Sequence, residues 1–159
     1  QGLRYDPDMG SDARLSCSSS GWAWLSTLGD DEGLALVAKQ GLGLPDQFGP
    51  GAPTTLRAVL DAVHTTRERG YSMTTDTYSL GLSAISAPVR LANQPAMGVL
   101  TIAGPTVRFT AERMQSLVPE LLSVASQLAA ASGASPFFNL TADTGESGSA
   151  AGRKPIYAV

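Results

Sequence analysis

The sequence predicts an α+β fold, an antiparallel sheet flanked by helices, and three observations carry that class. Residues 81–89 (GLSAISAPV) and 97–105 (MGVLTIAGP) are short apolar runs rich in small or β-branched side chains. The turn chemistry of residues 90–96 separates them, so they read as neighbouring, largely buried strands of one hairpin. Leu56, Val59, Leu60 and Val63 recur at i, i+3, i+4 and i+7 ahead of Gly70, which is helical spacing with a stop signal. The order strand, helices, strand, hairpin, helix suits a sheet covered by helices better than a doubly wound parallel sheet.

Taken along the chain, Leu3, Arg4 and Tyr5 form a strand remnant ended by Asp6, Pro7, Asp8 and Gly10. Residues 18–28 give a packed helix closed by Gly29, and Asp30 caps a short helix carrying Leu34, Val37 and Ala38 as far as Gly41. Residues 41–53 hold four Gly and three Pro, the composition of a mobile loop. Thr54 or Thr55 caps the amphipathic helix, and residues 71–74 form a strand that leads through Asp76, Thr77 and Tyr78 into the hairpin at 82–103. Thr110 opens a long helix whose apolar face is Met114, Leu117, Val118, Leu121, Leu122, Ala125 and Leu128. Pro119 removes a backbone donor inside it, so a kink or a break into two helices is expected. Beyond Gly133 the chain turns to Gly, Ser, Ala and Thr, which predicts a flexible tail over 133–159 after a domain spanning 1–132. Asn139-Leu140-Thr141 matches a glycosylation sequon by chance.

Composition excludes several function classes. With 159 residues, 43% hydrophobic and 16% charged, the chain is long enough for one domain with a substantial core. A formal charge of −3 argues against a surface that grips a phosphate backbone. Arg67, Glu68 and Arg69 read as a solvated helix end. The lone cysteine, Cys17, rules out an internal disulfide and a multi-cysteine metal site, and fits a reducing cytoplasm. No apolar run reaches the length of a membrane span, so no membrane partner is expected. Gln1 to Tyr5 lacks a start Met and a signal sequence and reads as a cut inside a longer protein.

Candidate functional residues are few. Ser83, Ser86 and Thr101 place hydroxyls among apolar neighbours, the way a small-molecule pocket is lined. The Ser-rich run before Gly21 offers more hydroxyls than one helix cap needs, and points to a ligand site. Cys17 reads either as a small buried residue or as a nucleophile near a helix start. His64 borders an apolar helix face with no catalytic partner evident in sequence. Trp22 and Trp24 cannot share one helical face, so one enters the core and the other covers a pocket or a contact. Asp76 is a turn residue or an anchor at a pocket mouth, and Arg108 pairs with an acidic neighbour. Motifs for hydrolases, zinc proteases, P-loops and dinucleotide folds are absent, so neither catalytic residues nor a metal or cofactor are expected.

In order, these segments resemble the C-terminal effector-binding domain of the IclR family of bacterial transcription regulators. LSCSSSGWAWL (15–25) resembles the family's LHATAxGKAxL, and TRERGY (66–71) resembles xRxxGY. GLSAISAPV (81–89) resembles GxxxIAAPV, LTIAGP (100–105) resembles LSVSGP, and residues 110–130 resemble the closing helix. The resemblance implies a GAF-like antiparallel sheet with helices, N-terminally truncated here, enclosing a pocket for a small metabolite, often an organic or aromatic acid. It implies ligand contacts at Ser19, Ser20, Thr74, Ala84, Thr101 and Ala103. It further implies a homodimer or tetramer that binds DNA only through a winged helix-turn-helix domain absent from this chain. Trp22 stands where the family often has Lys, and Asp76-Thr77 where it often has two acids.

The reading that joins these strands is a cytoplasmic effector sensor rather than an enzyme. Ser19, Ser20 and Thr101 would hold a ligand's polar head, with Asp76 at the mouth, while Trp22, Ile85 and Ile102 wall the remainder. Its rivals are a thiol-dependent enzyme built on Cys17 and a structural oligomerisation module built on the helix from Thr110.

Overall fold

The computed structural model describes residues 13–42 and 46–133, with Gly133 described by its backbone alone. The strand remnant at Leu3–Tyr5, the sequon and the tail beyond 133 lie outside the described residues. Four helices and three strands follow in the order α1 (Ser19–Leu25), α2 (Asp30–Gln40), α3 (Leu56–Arg69), β1 (Ser72–Thr75), β2 (Leu82–Val89), β3 (Gly98–Pro105) and α4 (Ala111–Gly133). The strands form one antiparallel sheet in the order β1-β2-β3, as the hairpin pattern predicts.

Local chemistry sets each boundary. Ser18 caps α1: its Oγ accepts the Gly21 amide at 2.9 Å and donates to the Arg14 carbonyl. The 13–18 segment wraps so closely over this turn that a Cβ at Gly21 would sit 2.7 Å from the Arg14 carbonyl oxygen. The helix is shorter than the 18–28 expected, because Ser26 and Thr27 hydroxyls take the carbonyls of Ala23 and Trp24 at 2.7 Å each. Gly29, not Asp30, is the N-cap of α2. Asp30 instead opens that helix with its carboxylate turned to α3. Thr55 caps α3 by accepting the Ala58 amide at 3.1 Å, and Gly70 ends it in the left-handed region at φ 80°. The buried stripe of α3 is Val59, Val63 and Thr66, while Leu56 stays exposed.

The loop expected to be mobile is docked over its described part, 46–53. Gly49 and Gly51 amides donate to the Thr77 and Asp76 carbonyls at 3.1 and 2.8 Å. A Cβ at Gly49 would overlap the Asp76 carbonyl, so only glycine permits the approach.

One helix runs unbroken through Pro119. Proline deprives the Gln115 carbonyl of its usual partner, but both residues are exposed and water can serve that oxygen. The buried face of α4 is Met114, Val118, Leu121, Ala125 and Ala129, flanked by Leu117 and Leu122. Leu128, expected inside, is exposed. This face packs on Ile85, Ala87 and Val89 of the sheet, with Tyr71 and Phe109. A second, smaller core joins Leu25, Val37, Val59 and Val63 of α1, α2 and α3. No helix among the described residues is long and apolar enough to cross a membrane.

Candidate functional site

Alternation along β2 divides the sheet into two unlike faces. Residues opposite one another across the sheet share a face, and the register pairs Ser72 with Ser86, Thr74 with Ala84, Ala84 with Ala103, and Ser86 with Thr101. Small and hydroxyl side chains therefore share the face on which α1 lies. Ile85 and its partners Met73 and Ile102 point the other way, into the α4 core. Ile85 and Ile102 thus do not share a face with Ser86 and Thr101, a correction to their expected place beside these hydroxyls that follows from the two-residue period of a strand. Ser83 likewise leaves the group: it pairs through Oγ with Thr106 and Thr75 at 3.1 and 3.3 Å.

On the α1 face a line of hydroxyls crosses all three strands. Ser19, in the first turn of α1, lies 2.6 Å from Ser72 Oγ, and Ser86 Oγ donates to Ser19 Oγ at 2.9 Å. Ser86 Oγ in turn lies 2.8 Å from Thr101 Oγ1 on β3, and Ser72 Oγ donates to the Ser19 carbonyl at 2.7 Å. Ser19, Ser72 and Ser86 are buried, whereas Thr101 is exposed. A buried hydroxyl without a partner costs about 1–3 kcal/mol, so the mutual bonding is what makes this interior polar line tolerable.

The remaining predicted site residues fall around it. Thr74 and Ala84 are buried side by side, with Thr74 Oγ1 donating to the Ala84 carbonyl at 3.4 Å. Ala103, next on the same face of β3, is exposed. Ser20 is half-buried at the helix tip, 3.3 Å from Ser18 Oγ. Trp22 is buried and donates its indole Nε1–H to the Ser16 carbonyl at 2.9 Å, so it braces the segment ahead of α1. Asp76 does the work of a turn: it holds φ 54°, its Oδ1 accepts the Gly81 amide at 2.6 Å, and its own amide donates to the Leu82 carbonyl at 2.9 Å. Among the described residues, then, the α1 face grades from a buried interior at Ser72 to an open margin at Thr101 and Ala103. It is not a closed chamber between the helix tip and the strands.

One cluster escaped the sequence. Asp30 of α2 meets His64 Nε2 at 2.7 Å and Arg67 at 2.9 Å, both on α3. Arg67 also donates to the Ser26 and Leu28 carbonyls at 3.1 and 2.9 Å, closing the end of α1. Arg67 is therefore a structural tie, not a solvated helix end, and His64 has a carboxylate partner. The hydrogen bonds from His64 and then from Arg67 hold the Asp30 carboxyl below the usual carboxylate range. Beside these residues a cleft is lined by Leu25, Gly29, Asp30, Gly33, Val37 and Val63. Cys17 is fully buried, and burial pushes its thiol up against the opposing pull of a Ser16 hydrogen bond and the Arg14 charge. A buried thiol whose pKa is raised is a poor nucleophile.

The family model for the C-terminal part of bacterial IclR transcriptional regulators matches residues 1–130. The chain belongs to the IclR family. The acetate operon repressor of Salmonella typhimurium is 26% identical over 131 residues, covering 82% of this chain and 47% of that protein. The chain spans about half the length of the curated relatives it matches. Among solved structures, the inducer-binding domain of the Acinetobacter transcription factor PobR, crystallised as a double mutant with 3-hydroxybenzoic acid, superposes with a TM-score of 0.69. That match is 24% identical and covers 81% of this chain and 74% of the PobR chain. An IclR regulator from Alicyclobacillus acidocaldarius gives a TM-score of 0.68 at 21% identity, covering 82% of this chain and 50% of that one. The α+β, GAF-like architecture expected from the sequence is the architecture of this IclR C-terminal domain.

Proposed function

We propose that this IclR domain senses a small organic or aromatic acid on the α1 face of its sheet, and passes the result to a DNA-binding winged helix-turn-helix domain. The observation that carries the reading is the hydroxyl line, which begins buried under α1 and emerges at Thr101 on a face of small and hydroxyl side chains. Ser20, Thr101 and Ala103 would meet the ligand, Thr74 and Ala84 would form the floor, and Ser19 would act from beneath through Ser86. Trp22 and Asp76 hold the segments on either side in place. Ligand binding must differ between two arrangements of the whole protein to change DNA affinity; equal binding would shift nothing. A homodimer or tetramer in the cytoplasm is the setting in which such a shift operates, and the domain performs no catalysis.

A thermal-shift screen of organic and aromatic acids tests this directly, because a ligand that binds only the folded state raises the melting temperature by mass action. A hit should bind Thr101→Val about 1–3 kcal/mol more weakly in calorimetry, the cost of losing a buried hydrogen-bond partner. An unchanged dissociation constant removes Thr101 from the site. The oligomerisation-module reading draws on Val124 and Leu128, exposed and one turn apart on α4. A screen in which no acid raises the melting temperature would favour that reading instead.

A further inference from the structure

The polarity of the hydroxyl line fixes what its outer end offers to a ligand. Four contacts connect it: Thr101 to Ser86 at 2.8 Å, Ser86 to Ser19 at 2.9 Å, Ser19 to Ser72 at 2.6 Å, and Ser72 to the Ser19 carbonyl at 2.7 Å. Each hydroxyl owns one proton and can accept through its lone pairs, whereas a carbonyl oxygen only accepts. Ser72 must therefore donate to the Ser19 carbonyl. With that proton committed, Ser72 can only accept from Ser19, Ser19 from Ser86, and Ser86 from Thr101. Four protons serve four contacts, and one arrangement satisfies them all. The weaker alternative for Ser72, the Ser86 carbonyl at 3.4 Å, leaves the direction unchanged because it too is an acceptor. Reversing one member sets two oxygens within 3 Å with no proton between them, inside a buried network where such a fault is costly.

We propose that Thr101 meets its ligand as a hydrogen-bond acceptor, so the group seated against it is a donor: a hydroxyl, an amine or a protonated acid, and not a carboxylate. This selectivity rests on the sensing reading above. A carboxylate at Thr101 would face lone pairs, and turning the Thr101 proton outward to greet it would strip Ser86 of its donor. The ligand's anionic head then belongs elsewhere on the face. Ser20 suits it better, since its own contact to Ser18 is long at 3.3 Å and its proton is easily released.

Neutron diffraction from the ligand-free, deuterium-exchanged 159-residue chain tests the polarity without any ligand. A deuteron on Thr101 Oγ1 directed at Ser86 is expected; one directed away from Ser86 overturns the proposal. Calorimetry with 3-hydroxybenzoate and isophthalate, which replaces the meta hydroxyl by a carboxylate, tests its consequence. The wild-type chain should favour 3-hydroxybenzoate by about tenfold or more, and Ser72→Ala, which removes the anchor and frees the line to reverse, should bring that ratio toward one. A ratio that is the same in both proteins overturns the selective role of the line. Failure of both acids to bind the wild type counts against the sensing reading, while the neutron map still decides the polarity of Thr101.

Discussion

The two faces of one strand do opposite jobs here. Along β2, Ile85, Ala87 and Val89 enter an apolar core with Met114, Val118 and Leu121 of α4, where close packing supplies the stability. Ala84 and Ser86 turn to α1, where the neighbours are Ser19, Ser72, Thr74 and Thr101 and the interior is held by hydroxyl-to-hydroxyl bonds. Packing gains scale with area and tolerate similar shapes, whereas the hydroxyl line is directional and complete only as a set. A sheet built in this way can keep its fold on one side and reserve the other for recognition.

Substitutions at adjacent positions of β2 separate the two roles. Ile85→Ala should show the largest effect, a loss of about 2–5 kcal/mol in urea unfolding, because it opens a cavity beneath α4. A loss below about 1 kcal/mol would mean that the α4 core does not carry the fold. Ser86→Ala should cost less, about 1–3 kcal/mol, by leaving Ser19 and Thr101 without their shared partner. It should weaken acid binding as well, which Ile85→Ala should not once samples are compared fully folded. Thr101→Val removes only the proton that Ser86 accepts and sits at the open margin, so it should cost the least of the three, about 1 kcal/mol, while keeping its effect on binding.

A smaller effect belongs to neither face. The folded-state value of Asp30 is lowered, so its contribution is fully present above the ordinary carboxylate range and is lost as pH falls through the lowered value. Asp30→Asn should therefore flatten the acid limb of a stability-versus-pH curve and leave the faces of the sheet untouched. An acid limb identical to the wild type would mean that the ties to His64 and Arg67 contribute nothing to folding.

How much of this was legible in the sequence differs between the same two faces. The hairpin, a serine cap ahead of Gly21, a threonine cap at 54 or 55, and most of the α4 stripe follow from spacing and turn chemistry, which are local properties. β2 is buried on both sides, so its apolar run shows no in-and-out contrast and hides which residues face which helix. That is why Ile85 and Ile102 read as pocket walls, although the two-residue period already required Ile85 and Ser86 to point apart. Ser19, Ser86 and Thr101 stood out singly as hydroxyls, Ser72 was missed, and no connected line was visible, since Ser86 lies 67 positions along the chain from Ser19. The tie between Asp30 and His64 was out of reach for the same reason, the two lying 34 positions apart. Pro119 shows the opposite error: a strong local rule was overridden where the affected residue, Gln115, is exposed.

Methyl-labelled NMR during titration with the best-binding acid examines the division of the sheet most directly. Shifts are expected at the methyls of Thr74, Ala84, Thr101 and Ala103, with the methyls of Ile85 and Ile102 unmoved. Shifts at Ile85 and Ile102 with those four residues silent would place recognition on the α4 side and contradict that division.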